Sequence, residues 1–251
     1  MTEANLVLTH TYDEGFVKIT LNRPDKRNAL TLDMYRGLSS VLAECADSQD
    51  CSAVMICGAG GHFCSGNDLH DFSATQMRDD VFAVVSHFMT TILRFPKPII
   101  AAVEGRAVGI GATLLLHCDL VVASVRAEFQ FPFIDLGLCP EFASSILLTE
   151  RVGHNIAMEW LMLGEVISAE KALAHGLLNR VAQQPVDVAL EYCNTLVHKP
   201  LRALMVTKAL AKQHRQHDLM RAIDRECARF ADALAQEEFR IATNRFFSRG
   251  H

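Results

Sequence analysis

The chain has 251 residues, of which half are hydrophobic and 21% are charged, so it can bury a sizeable core. Its formal net charge of −5 argues against a nucleic-acid surface, which needs a basic stripe, and no apolar run reaches the roughly 18 residues of a membrane span. No secretory signal is visible and the eight cysteines are scattered without a C-x-x-C pair. We therefore expect a cytoplasmic protein with reduced thiols.

In chain order, the first half of the sequence predicts alternating strands and helices. Two short strands with a turn at Asp13–Gly15 precede a polar turn and a helix that Thr31 can cap. "SAVMICG" follows as a buried strand, "IIAAVEG" and "LVVAS" follow as further strands, and "MRDDVFAVVSHFMTTILRF" lies between the first two as a helix. This alternation predicts a layered α/β architecture.

The second half of the sequence predicts helices almost throughout, from Phe142 onwards. Ser168 begins a helix that ends at Gly176, and Pro200 introduces another. A final helical stretch runs from Leu219 to Phe247. No linker separates this half from the first, and the sequence shows no repeat of fixed period.

Two glycine-containing turns, "CSGNDL" (Cys64 to Leu69) and "GRAVGIGAT" (Gly105 to Thr113), each lead from a strand towards a helix. Glycines there let backbone N–H groups turn outward, and a helix N-terminus adds positive potential. Two such turns side by side could direct two N–H groups at one oxygen and so form an oxyanion hole. The spacing alone leaves a second interpretation open, in which the glycines only permit tight turns and close packing.

Other chemistry has less support in the sequence. There is no P-loop, no dinucleotide-binding G-x-G-x-x-G after a strand, and no G-x-S-x-G nucleophile elbow. Four polar side chains could suggest a metal site, but their spacing matches no zinc signature. We predict a solvated loop and no metal for these residues, which are His62, Asp68, His70 and Asp71.

Four segments in order, "LNRPDKRNAL", "GAGGHFCSGNDL", "AAVEGRAVGIGATLLLHCDLVVAS" and "FPFIDLGLCPE", resemble the serial motifs of the enoyl-CoA hydratase/isomerase (crotonase) superfamily. The resemblance extends from about Leu6 through "SAEKALAHGLLNRV". It implies a spiral of ββα units in residues 1–195 and a C-terminal helical region, 196–251, that builds homotrimers or hexamers. It also implies an acyl-CoA thioester substrate and no separate cofactor, because coenzyme A is part of that substrate.

The resemblance assigns site residues to both glycine turns. It implies that the backbone N–H groups of Asn67 and Ile110 form the oxyanion hole, so that Asn67→Ala would keep most activity. The basic pair Lys26 and Arg27 falls where relatives meet the phosphates or adenine of CoA, although a solvated basic turn explains it equally well. The substrate-binding set implied by the resemblance is Lys26, Arg27, Ser65, Gly66, Asn67, Asp68, Leu69, Gly109 and Ile110.

Two departures from the hydratase pattern concern the acids. Hydratases of this superfamily carry two glutamates, and this chain has Thr113 and Phe133 in their places. Adding water to a double bond relies on both acids, so we expect poor hydratase activity. Glu141, in "PFIDLGLCPEFASS", instead matches the single glutamate of Δ3,Δ2-enoyl-CoA isomerases, with Phe142 where glycine is common.

The sequence therefore predicts an acyl-CoA isomerase of fatty-acid β-oxidation, with Glu141 as the base and acid. Apolar neighbours would raise the pKa of Glu141 and the following helix would lower it, so the net direction stays open. The alternatives are another crotonase-type reaction, such as weak hydration or ring isomerisation, a non-catalytic acyl-CoA-binding subunit, or Glu141 as a helix-start acid. We expect His117 to be a packing residue and Asp135 to be structural.

Overall fold

The computed structural model describes residues 5–69 and 78–248, except for the side chains of 78–80, 246 and 247. The strands are β1 (Val7–Tyr12), β2 (Phe16–Leu21), β3 (Ala53–Gly58), β4 (Ile99–Val103), β5 (Arg106–Val108), β6 (Leu120–Ser124), β7 (Glu128–Gln130), β8 (Ile167–Ser168) and β9 (Arg180–Ala182). The helices are α1 (Leu32–Asp47), α2 (Arg78–Arg94), α3 (Ile110–Thr113), α4 (Ser144–Val152), α5 (His154–Leu163), α6 (Ala169–Ala174), α7 (Pro185–Val197), α8 (Leu201–Gln213), α9 (Gln216–Leu234) and α10 (Glu237–Ser248).

The strands form a six-stranded sheet in the order β1-β2-β3-β4-β6-β9 and a three-stranded sheet in the order β5-β7-β8. β1 and β2 are antiparallel, and the remaining pairs of the large sheet are parallel. In the pairs β4–β5 and β6–β7, the first strand belongs to the large sheet and the second to the small one. The chain thus passes repeatedly between two sheets, as the predicted ββα units require.

The large sheet is buried on both faces, which explains why its central strands read as continuous apolar runs. All five residues of β4 and the first five of β3 are buried. α1 and α2 belong to the main hydrophobic cluster on one face, while Ala189 and Cys193 of α7 pack on Met55 and Ala102 on the other. The loops that follow these strands therefore extend from a well-packed core.

The helix starts follow the sequence closely. The side chain of Thr31 accepts a hydrogen bond from the Met34 N–H at 3.3 Å, and that of Ser168 accepts one from the Lys171 N–H at 3.2 Å. These are the predicted N-caps of α1 and α6. The helix that follows the second glycine turn, α3, ends at Thr113, because Leu114–His117 forms a tighter 3₁₀ turn.

The final helical stretch, predicted to run unbroken to Phe247, is two helices. The N–H groups of Ala235 and Gln236 bond to carbonyls three residues back, which tightens the last turn of α9 and ends it. α9 packs on the core through one face, whose buried residues are Leu219, Ala222, Ile223, Glu226, Phe230 and Leu234. The role of region 196–251 in trimer formation stays a prediction.

The described part of the chain contains no helix that combines the length and apolarity needed to cross a membrane.

Candidate active site

The two glycine-containing turns lie against each other. Gly66 and Gly109 both have positive φ, of 106° and 55°. A Cβ atom on Gly109 would lie 3.9 Å from the Gly66 Cα, and one on Gly66 would lie 3.3 Å from the Val108 oxygen. The N–H of Val108 donates to the Cys64 oxygen at 2.9 Å. The glycines therefore serve close packing and also bring the two turns side by side.

The backbone N–H groups of Asn67 and Ile110 have no hydrogen-bond acceptor among the described residues. Around Asn67, the Leu30 N–H donates to the Gly66 oxygen at 2.8 Å and the Asp68 N–H donates to the Leu30 oxygen at 2.9 Å, so this pairing does not use the Asn67 N–H. Ile110 is the first residue of α3, where a helix N–H has no intrahelical partner. Both groups are thus available as donors.

The side chain of Asn67 has a partner that the sequence analysis missed. The hydroxyl of Tyr35, on α1, donates to Asn67 Oδ1. Tyr35 is fully buried beside Phe88, and burial, with Glu141 and Cys64 nearby, raises its pKa well above the usual value. It therefore stays protonated and holds the turn through a hydrogen bond. A tyrosine on the apolar face of a helix was the available signal, because a buried phenol needs a partner.

Glu141 is 3% exposed. Its Oε1 accepts a hydrogen bond from the Thr113 hydroxyl at 2.6 Å, while Oε2 has no partner in the described part of the chain. Burial raises the pKa of Glu141 from 4.5 to about 8; the Thr113 hydrogen bond opposes this and the charge of Glu226 adds to it. The direction that the sequence left open is therefore upward.

Glu141 and Asn67 face one small apolar cavity of about 20 Å³. The remaining walls come from α2 and α9, and the lining residues are Asn67, Phe82, Val85, Met89, Glu141, Cys227 and Phe230. The unpartnered carboxylate and the Asn67 turn thus meet in a site with apolar walls.

The turn after Glu141 is left-handed without glycine. Phe142 and Ala143 have φ of 60° and 55°, so α4 begins at Ser144 and not near Phe142 as predicted. His117 Nε2–H donates to the Phe142 oxygen at 2.8 Å, and the two rings stack at 3.9 Å. Glu141 therefore lies outside the first turn of α4, which weakens the helix-start interpretation.

His117 agrees with its predicted packing role. It is 2% exposed, and burial lowers its pKa to about 3, so the ring is neutral and its Nε2–H is free to donate to a carbonyl. Asp135 is exposed.

The two positions that lack hydratase glutamates have other roles. Thr113 is fully buried and donates to Glu141, a positioning contact that the sequence did not suggest. Phe133 is 6% exposed and belongs to the main hydrophobic cluster.

The basic turn is attached to the first glycine turn. Lys26 and Arg27 are exposed; the Ser65 N–H donates to the Arg27 backbone oxygen at 3.0 Å, and the Ser65 hydroxyl donates to the Lys26 backbone oxygen at 3.1 Å. Leu69 is half-buried at the end of the same segment. This placement fits both interpretations of the basic pair.

The prediction of a solvated loop is wrong for Asp68. Its carboxylate pairs with the Arg23 guanidinium at 2.6 Å, and its side chain is 11% exposed. His62 is half-exposed and accepts a hydrogen bond from the Arg106 N–H at 3.3 Å. His70 and Asp71 lie outside the described residues. Within the described ranges, no group of three or more metal-binding side chains is found.

Comparison with known proteins gives the family context. The sequence profile of the family described as "Enoyl-CoA hydratase/isomerase" matches residues 11–251. "Enoyl-CoA delta isomerase 2" of Rattus norvegicus is 33% identical over 95% of this chain and 63% of its own length. "Enoyl-CoA hydratase domain-containing protein 3, mitochondrial" of Homo sapiens is 39% identical over 68% of this chain and 57% of its own length. The chain thus spans less than two thirds of these longer relatives.

Among solved structures, the "Structure of Pseudomonas aeruginosa OdaA" superposes with a TM-score of 0.92 at 38% identity. The match covers 97% of this chain and 99% of that one. Structures titled enoyl-CoA hydratase/isomerase superpose similarly, with a TM-score of 0.91 for the protein from Pseudoalteromonas atlantica, at 32% identity over 98% of both chains. The predicted α/β crotonase-like fold with its helical C-terminal region is confirmed.

Proposed function

The chain belongs to the enoyl-CoA hydratase/isomerase family, and we propose that within it the protein is an isomerase that moves the double bond of a 3-enoyl-CoA to the 2-trans position. The observation that carries this proposal is the state of Glu141. Its buried carboxyl, with one oxygen held by Thr113 and the other without a partner among the described residues, lines an apolar cavity together with Asn67.

The first step is removal of a proton from C2 of the substrate. That carbon lies between the thioester and the double bond, so its C–H bond is acidic, and Oε2 of Glu141 is the oxygen free to take the proton. The electron pair of the broken bond spreads over the thioester and the alkene as a dienolate. A carboxyl with a pKa of about 8 is a stronger base than an ordinary glutamate, which favours this transfer.

The thioester oxygen carries negative charge in the dienolate. The N–H groups of Asn67 and Ile110 would donate to it, and one such donor is worth roughly 3 kcal/mol. Both belong to backbone held by the glycine turns, so little reorganisation is needed as charge develops.

The protonated Glu141 then returns the proton at C4, which places the double bond between C2 and C3. Base and acid act in sequence, so one carboxyl completes the cycle without consuming water. Hydration needs a second acid, and the two hydratase positions hold Thr113 and Phe133.

Coenzyme A is part of the substrate, so the proposed reaction needs no separate cofactor. The proposed binding surface for the acyl-CoA consists, besides Asn67 and Ile110, of Lys26, Arg27, Ser65, Gly66, Asp68, Leu69 and Gly109. We further propose a homotrimer or hexamer, a cytoplasmic location and a role in fatty-acid β-oxidation. The rat isomerase supports the reaction class, whereas the name of the human relative places that protein in mitochondria.

The testing experiment compares two reactions of the purified protein. Short- and medium-chain 3-enoyl-CoA thioesters are followed for formation of the conjugated 2-enoyl product, and 2-enoyl-CoA is followed for hydration under the same conditions. We expect isomerisation to exceed hydration by a large factor. Equal rates would favour a hydratase-type reaction, and acyl-CoA binding without either turnover would favour the non-catalytic alternative.

A further inference from the structure

Glu226, on α9, is a second buried carboxyl close to the site. It is 8% exposed, and its Oε1 accepts hydrogen bonds from the Ser145 N–H at 3.2 Å and from the Ser145 hydroxyl. Its Oε2 has no partner among the described residues. Glu226 does not line the cavity, but its neighbour Cys227 does. Glu226 therefore lies next to the cavity wall without lining the cavity.

α4 has no N-cap side chain of its own, and the contacts of Glu226 take the place of one. The N-cap residue of α4 is Ala143, which has no side-chain oxygen to accept from the first helical N–H groups. Ser145 is the second residue of α4, and its N–H is satisfied by Glu226, 81 positions later in the chain. The carboxylate of α9 thus anchors the start of α4.

The anchored end follows directly on the strained turn. Consecutive left-handed Phe142 and Ala143 are unfavourable for residues with side chains, and such backbone persists where its surroundings hold it. His117 holds the Phe142 carbonyl on one side, and Glu226 holds Ser145 on the other. Glu141 immediately precedes this turn, so the position of its carboxyl depends on both.

We propose that Glu226 is a positioning residue, which fixes the turn that carries Glu141 and so couples the C-terminal helix α9 to the proposed base. Its effect on turnover rests on the proposed function, but its effect on the Glu141 carboxyl does not.

Glu226 also affects the ionisation of Glu141 through its charge. The charge of Glu226 raises the pKa of Glu141, as burial does more strongly. Removing that charge while keeping an acceptor should lower the pKa of Glu141. The other titratable groups in electrostatic contact with Glu226 or Glu141 are Tyr35, Cys64, Cys139, Arg225 and Cys227, and the substitutions at Glu226 change none of them.

The test uses Glu226→Gln, which keeps the acceptor for Ser145, and Glu226→Ala, which removes it. Asp224→Asn is the matched control, because Asp224 is an exposed carboxylate on the same helix. The Glu141 carboxyl is titrated by infrared difference spectroscopy, with Glu141→Gln identifying its band. Turnover of 3-enoyl-CoA gives kcat and KM separately.

We expect Glu226→Gln to shift the Glu141 titration to lower pH with turnover retained. Glu226→Ala should lose roughly tenfold or more in kcat with KM little changed, since small displacements of a reacting group are costly. Asp224→Asn should change neither. A folded Glu226→Ala with normal kcat and an unmoved Glu141 titration overturns the positioning role. An unchanged titration in Glu226→Gln overturns the electrostatic coupling, and this readout remains if Glu226→Ala fails to fold.

Failure of the proposed function gives a different pattern. A wild-type protein without isomerase activity, whose Glu141 band still shifts in Glu226→Gln, would refute the isomerase and support the coupling.

Discussion

The glycine turns and the Phe142–Ala143 turn both place left-handed backbone at the cavity, but they do so by different means. On the side of Asn67, Gly66 and Gly109 adopt positive φ at no steric cost. On the side of Glu141, the same conformation is imposed on a phenylalanine and an alanine. The phenylalanine is fully buried, stacked on His117 and hydrogen-bonded to it through its carbonyl.

The two sides of the cavity therefore contribute different chemical groups. The glycine side offers backbone N–H groups, so side chains there should matter mainly through the shape of the loop. The other side offers one carboxyl, whose identity, burial and position all matter. A substitution that removes a backbone N–H tests the first side, and a substitution that changes a side chain tests the second.

The largest effect is expected on the side-chain side. Glu141→Gln keeps nearly the same shape but cannot accept the C2 proton, so kcat should fall by about 10²–10⁴, towards the upper end because the same group returns the proton. Acyl-CoA affinity should change little. Stopped-flow or steady-state assays with a binding titration measure both quantities, and Asp135→Asn is the matched control, an exposed acid of the same segment.

Turnover of Glu141→Gln within a factor of about three of wild type would instead leave Glu141 as a structural residue and favour a different base.

The next effect is expected on the backbone side. Asn67→Pro deletes an N–H that the Leu30 pairing does not use, so the loop hydrogen bonds can remain while one oxyanion donor is lost. We expect kcat to fall by about 10²–10³. Circular dichroism and light scattering establish that the variant is folded. A folded Asn67→Pro with normal kcat would place the oxyanion donor elsewhere.

A smaller effect concerns the side chain of the same residue. The sequence alone predicts that Asn67→Ala keeps most activity, but the structure adds a cost, because the substitution leaves the buried Tyr35 hydroxyl without its acceptor. We expect a stability loss of about 1–3 kcal/mol. Adding Tyr35→Phe removes both partners and should restore most of it.

A double-mutant cycle by urea unfolding measures this coupling. Additive losses for Asn67→Ala and Tyr35→Phe would contradict the assigned hydrogen bond.

The remaining effect is on stability, and its direction is opposite to the one expected for a helix-start acid. A helix-start acid would make Glu141→Gln less stable by about 0.3–1 kcal/mol. A pKa raised to about 8 means that the folded protein keeps a proton that the unfolded chain releases near pH 4.5. Stability from this group is present below that lower value and is lost as pH rises towards about 8.

Wild type should therefore lose stability relative to Glu141→Gln between those two pKa values, by on the order of 1 kcal/mol per pH unit. Urea unfolding of both proteins across this range measures the difference, and Glu226 is common to both. Parallel pH dependences would contradict the raised pKa.

Much of this fold could be predicted because its determinants are local. Thr31 and Ser168 cap helices by their own side chains, and apolar runs such as "SAVMICG" report strands buried on both faces. The glycine turns also reveal their conformation in the sequence, since left-handed backbone favours glycine. The assignment of Asn67 and Ile110 within these turns comes from the resemblance to the crotonase superfamily.

The rest depends on contacts between distant parts of the chain. The side chains of Phe142 and Ala143 do not themselves indicate a left-handed turn, although glycine is common at position 142 in the isomerases that this segment resembles. In the structure, His117 and Glu226 hold the backbone on either side of the turn from distant parts of the chain. The direction of the Glu141 pKa shift required knowing that burial outweighs the hydrogen bond from Thr113. The ion pair between Arg23 and Asp68 similarly joins residues that are 45 positions apart.

The pH dependence of kcat/KM for 3-enoyl-CoA isomerisation tests the central claim most directly, because it reports the ionisation of the free enzyme's base. For wild type we predict a tenfold rise per pH unit below a midpoint of about 8 and a plateau above it. Thr113→Val, which removes the hydrogen bond that stabilises the carboxylate, should move the midpoint to higher pH. A wild-type profile that is already flat between about pH 6 and about pH 9, or a midpoint unmoved in Thr113→Val, would contradict Glu141 as the buried base.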